Sequence, residues 1–101
     1  MAWQFSSNRP IYSQIVDEIE LRILNSTYEM GMRLPSVRDL ALLAAVNPNT
    51  MQRALSELEE MGLVTTQRNT GRTVTTDEAA ISRARSAKAD LLVETFMAQM
   101  K

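Results

Sequence analysis

Two helix-start signals lie close together in the middle of the chain, and they restrict the fold more than any other feature. Ser36 is followed by Asp39 at the spacing of a capping box. Asn47 precedes Pro48, which suits the first helical position because proline lacks the N–H that would go unpaired there. Only a helix of about eight residues fits between these two starts. The sequence therefore predicts a short helix, a tight turn and a further helix.

Helical spacing of apolar residues predicts the flanking helices. The pattern from Tyr12 to Ile23 predicts a first helix over residues 10–24, with Pro10 at its first position and Tyr12 in the core. After the second helix, a third helix begins at Pro48, with Asn47 as its N-cap, and ends before Gly62. Its predicted buried stripe comprises Met51, Ala54, Leu55, Leu58 and Met61. The seven methionines are interpreted mainly as fillers of core gaps.

Two Val- and Thr-rich segments follow, at residues 63–67 and 72–76. The Arg68-Asn69-Thr70-Gly71 sequence between them is typical of a hairpin turn. Three helices and a β-hairpin wing predict a mainly α (α+β) fold, the winged helix-turn-helix.

Residues 77–101 contain neither Pro nor Gly and predict a long amphipathic helix. Its predicted dimerisation face comprises Ile81, Ala84, Leu91, Leu92, Phe96 and Met100, with Lys88 on the same face. Two occupants compete for this face: a second copy of the chain, or the chain's own domain. A dimer is favoured because such a helix is too long for one small domain to cover.

Composition excludes several classes of function. The chain has no Cys and no His, which removes disulfides, the commonest metal ligands and the commonest general base. Enzymatic chemistry and a metal or organic cofactor are therefore not expected. The chain shows no apolar run long enough for a membrane span and no secretory signal, which predicts a cytoplasmic location. The net charge of −1 argues mildly against nucleic-acid binding, although binding depends on where the charges lie.

The third helix segregates its polar residues along its length. The second helix of such a pair fits the DNA major groove with its N-terminal residues facing the bases. The polar positions at that end are Asn49, Thr50, Gln52 and Arg53, whereas Glu57, Glu59 and Glu60 lie in the other half. Asn and Gln pair with adenine and Arg with guanine. Helix three is therefore predicted to read bases, although Asn47, Asn49 and Thr50 also suit capping of the helix end.

Phosphate contacts are predicted on both sides of that helix. Arg38 lies in the first turn of the second helix, and Arg68 and Arg72 flank the wing turn. Backbone N–H groups near Ser36 can bind a phosphate at the helix N-terminus. The wing tip, with Thr70 and Gly71, is a candidate for the minor groove.

These residues resemble the DNA-binding domain of the GntR family. The resemblance covers residues 9–76 and is carried by Pro10-Ile11-Tyr12, by Gly31-Met32-Arg33-Leu34-Pro35-Ser36-Val37-Arg38-Asp39-Leu40-Ala41, by Asn49-Thr50 with Ala54-Leu55, and by Gly62-Leu63-Val64. Asn47-Pro48-Asn49-Thr50 and the short C-terminal region are similar to the YtrA subgroup of that family.

The resemblance implies a DNA-binding domain over residues 9–76 and a helical dimerisation region over 77–101. It assigns the DNA-contacting arginine of helix two to Arg38, and the recognition positions to Asn47, Asn49, Thr50, Gln52 and Arg53. It implies a homodimeric regulator, a repressor of a nearby transporter-type operon, that binds a pseudo-palindromic operator. A small-molecule effector has no site in the sequence. A protein-interaction module remains an alternative, and salt dependence of DNA binding separates the two.

Overall fold

The computed structural model describes residues 3–68 and 71–99, with side chains described as far as Ala89. The elements in chain order are α1 (Ile11–Leu24), α2 (Val37–Ala44), α3 (Pro48–Glu60), β1 (Val64–Gln67), β2 (Gly71–Val74) and α4 (Glu78–Gln99). This order confirms the predicted winged helix-turn-helix with an added C-terminal helix.

The helix boundaries follow the predicted signals with one correction. The Ser36 hydroxyl accepts a hydrogen bond from the Asp39 N–H at 3.1 Å, and α2 starts at the next residue, Val37. Asn47 caps α3 and Pro48 is its first residue, as predicted. Pro10, however, is the N-cap of α1 rather than its first helical residue, because its ψ of 142° is extended and not helical.

One hydrophobic core joins the three N-terminal helices to the hairpin. Helix α1 packs against α3, and α2 and β1 also pack against α3. The largest fully buried side chains, which fix these helices around one centre, are Ile15, Ile19, Leu40, Met51, Leu55, Leu58, Leu63, Val64 and Val74. Their burial supplies the main stabilisation of the domain, at roughly 1.5–3 kcal/mol for each large side chain.

Several predicted core residues lie at the surface instead. Met61 is 43 % exposed because it caps the C-terminus of α3, where the chain turns away at Gly62. Met30 and Met32 are also exposed, whereas Met51 is fully buried. Tyr12 is half-buried at the rim of the core. The interpretation of the methionines as core fillers is therefore wrong for these three exposed residues.

The wing is an antiparallel hairpin with a third chain segment beside it. β1 pairs with β2 in a register that sets Val64 opposite Val74 and Gln67 opposite Gly71. The segment before α2 runs along the other edge of β2, with a bridge between Arg33 and Thr73. Backbone hydrogen bonds from Leu34 N–H to Arg72 O and from Val74 N–H to Met32 O hold it there. The wing is thus anchored along the outer edge of β2.

Helix α4 returns to pack on α1 through its first turns. Ala80 and Ile81 are buried, and Ala84 packs against the core cluster. Arg85 donates a hydrogen bond to the Leu24 carbonyl at 2.8 Å, and Lys88 Nζ lies 2.8 Å from Glu20 Oε1. The start of α4 therefore belongs structurally to the DNA-binding domain.

Candidate nucleic-acid interface

The turn between α2 and α3 fixes the direction of α3 relative to α2. Ala45 adopts a left-handed conformation with φ 58°, and its N–H bonds back to the Leu42 carbonyl. The Val46 N–H then bonds to the Ala41 carbonyl at 3.0 Å. These bonds satisfy two of the last four carbonyls of α2 and end the helix, and α3 starts two residues later, at Pro48.

The start of α3 presents polar side chains to solvent. Asn49, Gln52 and Arg53 are exposed and Thr50 is half-buried, while Met51 and Ala54 face the core. This arrangement follows from helical geometry, because residues next to a buried stripe turn outward. The structure therefore brings together four of the predicted base-contacting residues on the accessible side of one helix end.

Asn47 serves as a helix cap. Its Oδ1 accepts a hydrogen bond from the Asn49 N–H at 2.8 Å, which satisfies one of the unpaired N–H groups of α3. The sequence left open whether Asn47 caps or contacts DNA. The structure gives the capping geometry, and a DNA contact by its amide remains a prediction.

Arg53 makes a contact that the sequence analysis missed. Its guanidinium carbon lies 3.6 Å from the ring centroid of Tyr12 on α1, well within cation–π range. Tyr12 was expected in the core, and its helical spacing fits a core position equally well. Whether Tyr12 lies in the core or against Arg53 depends on how α1 and α3 pack together, and the spacing of residues along the chain carries no information about that packing.

A second group of basic and polar residues surrounds the N-terminus of α2. Ser36 and Arg38 are exposed in its first turn. Arg33, also exposed, lies in the extended segment that bridges to β2. Sequence reasoning assigned no role to Arg33, although the extended Met32–Leu34 segment before Pro35 was visible. Its cationic group adds to the positive side of this surface.

The wing carries Arg68, Gly71 and Arg72, and Thr70 lies outside the described residues. Arg68 and Gly71 are exposed, whereas Arg72 is half-buried and its Nε is enclosed with no hydrogen-bond partner within the described part of the chain. Within the hairpin, the Thr66 hydroxyl donates to Glu59 Oε1 at 2.6 Å. This bond joins β1 to the C-terminal half of α3 and so helps to hold the wing in place against the recognition helix.

Acidic residues lie away from the predicted DNA-facing end. Glu57, Glu59 and Glu60 occupy the last turns of α3, and Glu59 is engaged by Thr66. The low net charge of the chain therefore coexists with a local excess of positive and amide groups at the start of α3. Local charge decides the approach of a polyanion more than the sum does.

The predicted dimerisation residues divide into two sets. Ile81 is 6 % exposed and lies in the domain's own core, and Ala84 packs against that core, so a single chain already covers both. The start of α4 thus folds back on its own domain, as the alternative to a dimer expected, and a part for these two residues in a dimer stays a prediction. Leu91, Leu92 and Phe96 lie on the helical backbone of α4, but their side chains and the whole of Met100 lie outside the described residues.

No helix within residues 3–68 and 71–99 is long and apolar enough to cross a membrane. A short helix pair with an exposed polar second helix and an anchored wing defines a winged helix-turn-helix DNA-binding domain. Residues 11–74 match the model of the bacterial regulatory proteins of the gntR family, so the chain belongs to the GntR family of transcriptional regulators.

Relatives agree with this assignment along most of the chain. The chain is 39 % identical over 98 residues to the uncharacterised HTH-type transcriptional regulator YhcF of Bacillus subtilis, and the match covers 97 % of this chain and 81 % of YhcF. It is 42 % identical over 65 residues to the HTH-type transcriptional repressor YtrA of Bacillus subtilis, covering 64 % of this chain and 50 % of YtrA. A GntR family transcriptional regulator from Listeria monocytogenes has a similar structure, with TM-score 0.90, 44 % identity, and coverage of 95 % of this chain and 84 % of that one.

Proposed function

We propose that this regulator represses a nearby transporter-type operon by binding a pseudo-palindromic operator as a homodimer. The observation that carries the proposal is the start of α3, the second helix of the helix-turn-helix, where Asn49, Gln52 and Arg53 are exposed. The repressor role is supported by similarity to YtrA, which is named a transcriptional repressor. DNA as target implies action in the cytoplasm at the nucleoid.

Base reading is assigned to the exposed residues at the start of α3. The amides of Asn49 and Gln52 each offer an N–H donor and a carbonyl acceptor, which match the N7 acceptor and the N6 donor of adenine in the major groove. Thr50 is half-buried, so its role is a close contact with a thymine methyl or a phosphate. Gln52 is the residue whose replacement is expected to change base preference most.

Phosphate binding is assigned to groups on both sides of α3. On one side are the exposed Arg38 and the N–H groups of the first turn of α2 beside Ser36. On the other are Arg68 and Arg72 at the wing, with Thr70 and Gly71 at its tip. Such contacts fix the register of the protein on the duplex and make affinity depend on salt.

Dimerisation is assigned to the distal part of α4. The first turns, at Ala80, Ile81 and Ala84, cover the chain's own domain. A helix of 22 residues is about 33 Å long, so most of α4 extends beyond those first turns. Leu91, Leu92, Phe96 and Met100 are proposed to meet their counterparts there. In the proposed division, residues 9–76 bind DNA, and within residues 77–101 the first turns of α4 pack on that domain while the rest forms the dimer.

Fluorescence anisotropy on the DNA upstream of the protein's own gene, measured across a salt series, tests the proposal. Wild type should bind that duplex at least about a hundred-fold more tightly than a scrambled duplex. Arg38→Ala should weaken both equally and lower the salt slope by about one. Gln52→Ala should instead reduce discrimination between the two duplexes.

Arg83→Ala is the matched control for Arg38→Ala, because it removes one exposed positive charge from α4 instead of α2. It should leave affinity and salt slope nearly unchanged. Equal, weak binding of wild type to both duplexes, unaffected by Arg38→Ala, would overturn the proposal. That result would favour a protein partner, for which the exposed Leu42 and Leu43 on α2 are the candidate contact.

A further inference from the structure

Tyr12 and Arg53 form a contact between the first turn of α1 and the recognition helix. The guanidinium carbon lies over the ring, 3.6 Å from its centroid, which is direct contact between the cation and the face of the ring. Tyr12 is half-buried on α1, which packs against α3, so its ring has a fixed support. Arg53 is exposed and would otherwise sample many rotamers.

The stack determines what the guanidinium can reach. Stacking occupies one face of the group, while its N–H donors radiate in the plane and stay available at the edge. Within the described part of the chain, no carboxylate pairs with Arg53, so Tyr12 is the contact that orients it. The contact with Tyr12 holds the guanidinium on the side of α3 that faces α1. When a helix lies in the major groove, the phosphates run along its sides and the base edges form the floor beneath it.

We infer that Tyr12 is a positioning residue that fixes Arg53 as a phosphate contact and keeps it from reading a base. The inference rests on the proposed operator binding, and it revises the base-reading role that the sequence suggested for Arg53. Holding the side chain in place before binding saves part of its ordering cost on the DNA. Asn49 and Gln52 then remain the main readers of sequence.

The experiment measures anisotropy with the upstream duplex and its scrambled counterpart for wild type, Tyr12→Leu, Tyr12→Phe, Arg53→Ala and the Tyr12→Leu/Arg53→Ala double variant. Leucine keeps apolar bulk but removes the ring, whereas phenylalanine keeps the stack. Tyr12→Leu should weaken binding to both duplexes by about two- to five-fold, the worth of an exposed cation–π contact. Tyr12→Phe should stay within about two-fold of wild type.

The double variant and the salt slope separate positioning from a general structural effect. Arg53→Ala should lower the salt slope by about one, as for the loss of one phosphate contact. In the Arg53→Ala background, Tyr12→Leu should have no further effect on affinity. Arg53→Lys keeps the charge without the flat group, so it should weaken binding by about two- to five-fold and leave α1 unaltered.

Three results would overturn the inference. Additive losses in the double variant would show that the two residues act independently. A loss from Arg53→Ala confined to the upstream duplex would show that Arg53 reads a base. Tyr12→Leu and Arg53→Lys both binding like wild type would show that the stack does not orient a DNA contact. In all three cases wild type still prefers the upstream duplex, so the proposed function stands. If wild type does not prefer the upstream duplex, the proposed function and the inference about Tyr12 both fail.

Discussion

Lys88 on α4 donates from its ammonium group to Glu20 Oε1 on α1 at 2.8 Å. The Glu20 side chain is only 10 % exposed, whereas that of Lys88 is 34 % exposed. Lys88 also lies 3.7 Å from Asp17 Oδ1. The one lysine on an otherwise apolar predicted face thus has a partner inside the domain, and together with the Arg85 bond to Leu24 it fixes the direction in which α4 leaves α1.

Replacing Lys88 with Met should destabilise the domain, because it leaves the buried Glu20 carboxylate without this partner. Loss of one partner of a buried ion pair costs about 3–5 kcal/mol, and the partial exposure of Lys88 reduces this to about 1–2 kcal/mol. Urea unfolding followed by circular dichroism measures the change. Lys88→Met combined with Glu20→Gln should recover part of the loss, while Arg9→Ala, at the more exposed pair with Asp17, should cost less than about 1 kcal/mol. Wild-type stability in Lys88→Met would contradict the expected role of this pair.

Replacing Asn47 with Ala should remove the cap of α3. The Asn49 N–H then loses its acceptor, and the free energy of unfolding should fall by about 0.5–2 kcal/mol. Asn47→Ser is the matched control, since serine is an equally good cap, and it should stay within about 0.5 kcal/mol of wild type. The midpoints of thermal unfolding of wild type, Asn47→Ala and Asn47→Ser measure the difference. Equal midpoints for Asn47→Ala and wild type would contradict a stabilising cap at Asn47.

The elements were predictable because their signals are local. The ends of α2 and α3 are set by the caps at Ser36 and Asn47 and by the left-handed conformation of Gly62. Neighbouring residues determine each of these features. The exposure of Asn49, Gln52 and Arg53 at the start of α3 was equally predictable, because it depends only on the position of the buried stripe. The prediction for Pro10 is wrong by a single position, because the ring of proline fixes φ but leaves ψ free, and the extended ψ of 142° puts Pro10 just before the helix.

Long-range contacts were not predictable from the same signals. Whether Tyr12 lies in the core or against Arg53 depends on how α1 and α3 approach each other, and helical periodicity is identical in both cases. The exposure of Met61 and the burial of Ile81 likewise depend on where α3 ends and α4 folds back. The role of Arg33 depends on a strand pairing with Thr73 far along the chain.

Two leucines at opposite extremes of burial provide a test of the core. Leu58 on α3 is fully buried, and Leu42 on α2 is 74 % exposed. Leu58→Ala should lower the free energy of unfolding by about 2–5 kcal/mol, because it removes buried methyl groups and leaves a cavity. Leu42→Ala keeps helix propensity and should change stability by less than about 0.5 kcal/mol. Urea unfolding midpoints compare the two, and similar losses would show that Leu42 is covered in solution.

Ala45 and Gly62 occupy the same left-handed region of backbone conformation, with φ of 58° and 81°, and they allow a test in opposite directions. A residue with a Cβ pays roughly 1–2 kcal/mol in this region, whereas glycine does not. Ala45→Gly should therefore raise the free energy of unfolding by up to about 1 kcal/mol, after subtraction of roughly 0.5–1 kcal/mol for the greater freedom of glycine in the unfolded chain. Gly62→Ala should lower the free energy of unfolding by up to about 1 kcal/mol, because the same backbone strain is introduced and the same entropy difference offsets part of it. Steric contact adds nothing, since nothing lies within 4 Å of an added Cβ. Chemical unfolding of both variants measures the pair. A fall in stability for Ala45→Gly would mean that Ala45 is held by packing of its methyl group and not by the turn between α2 and α3.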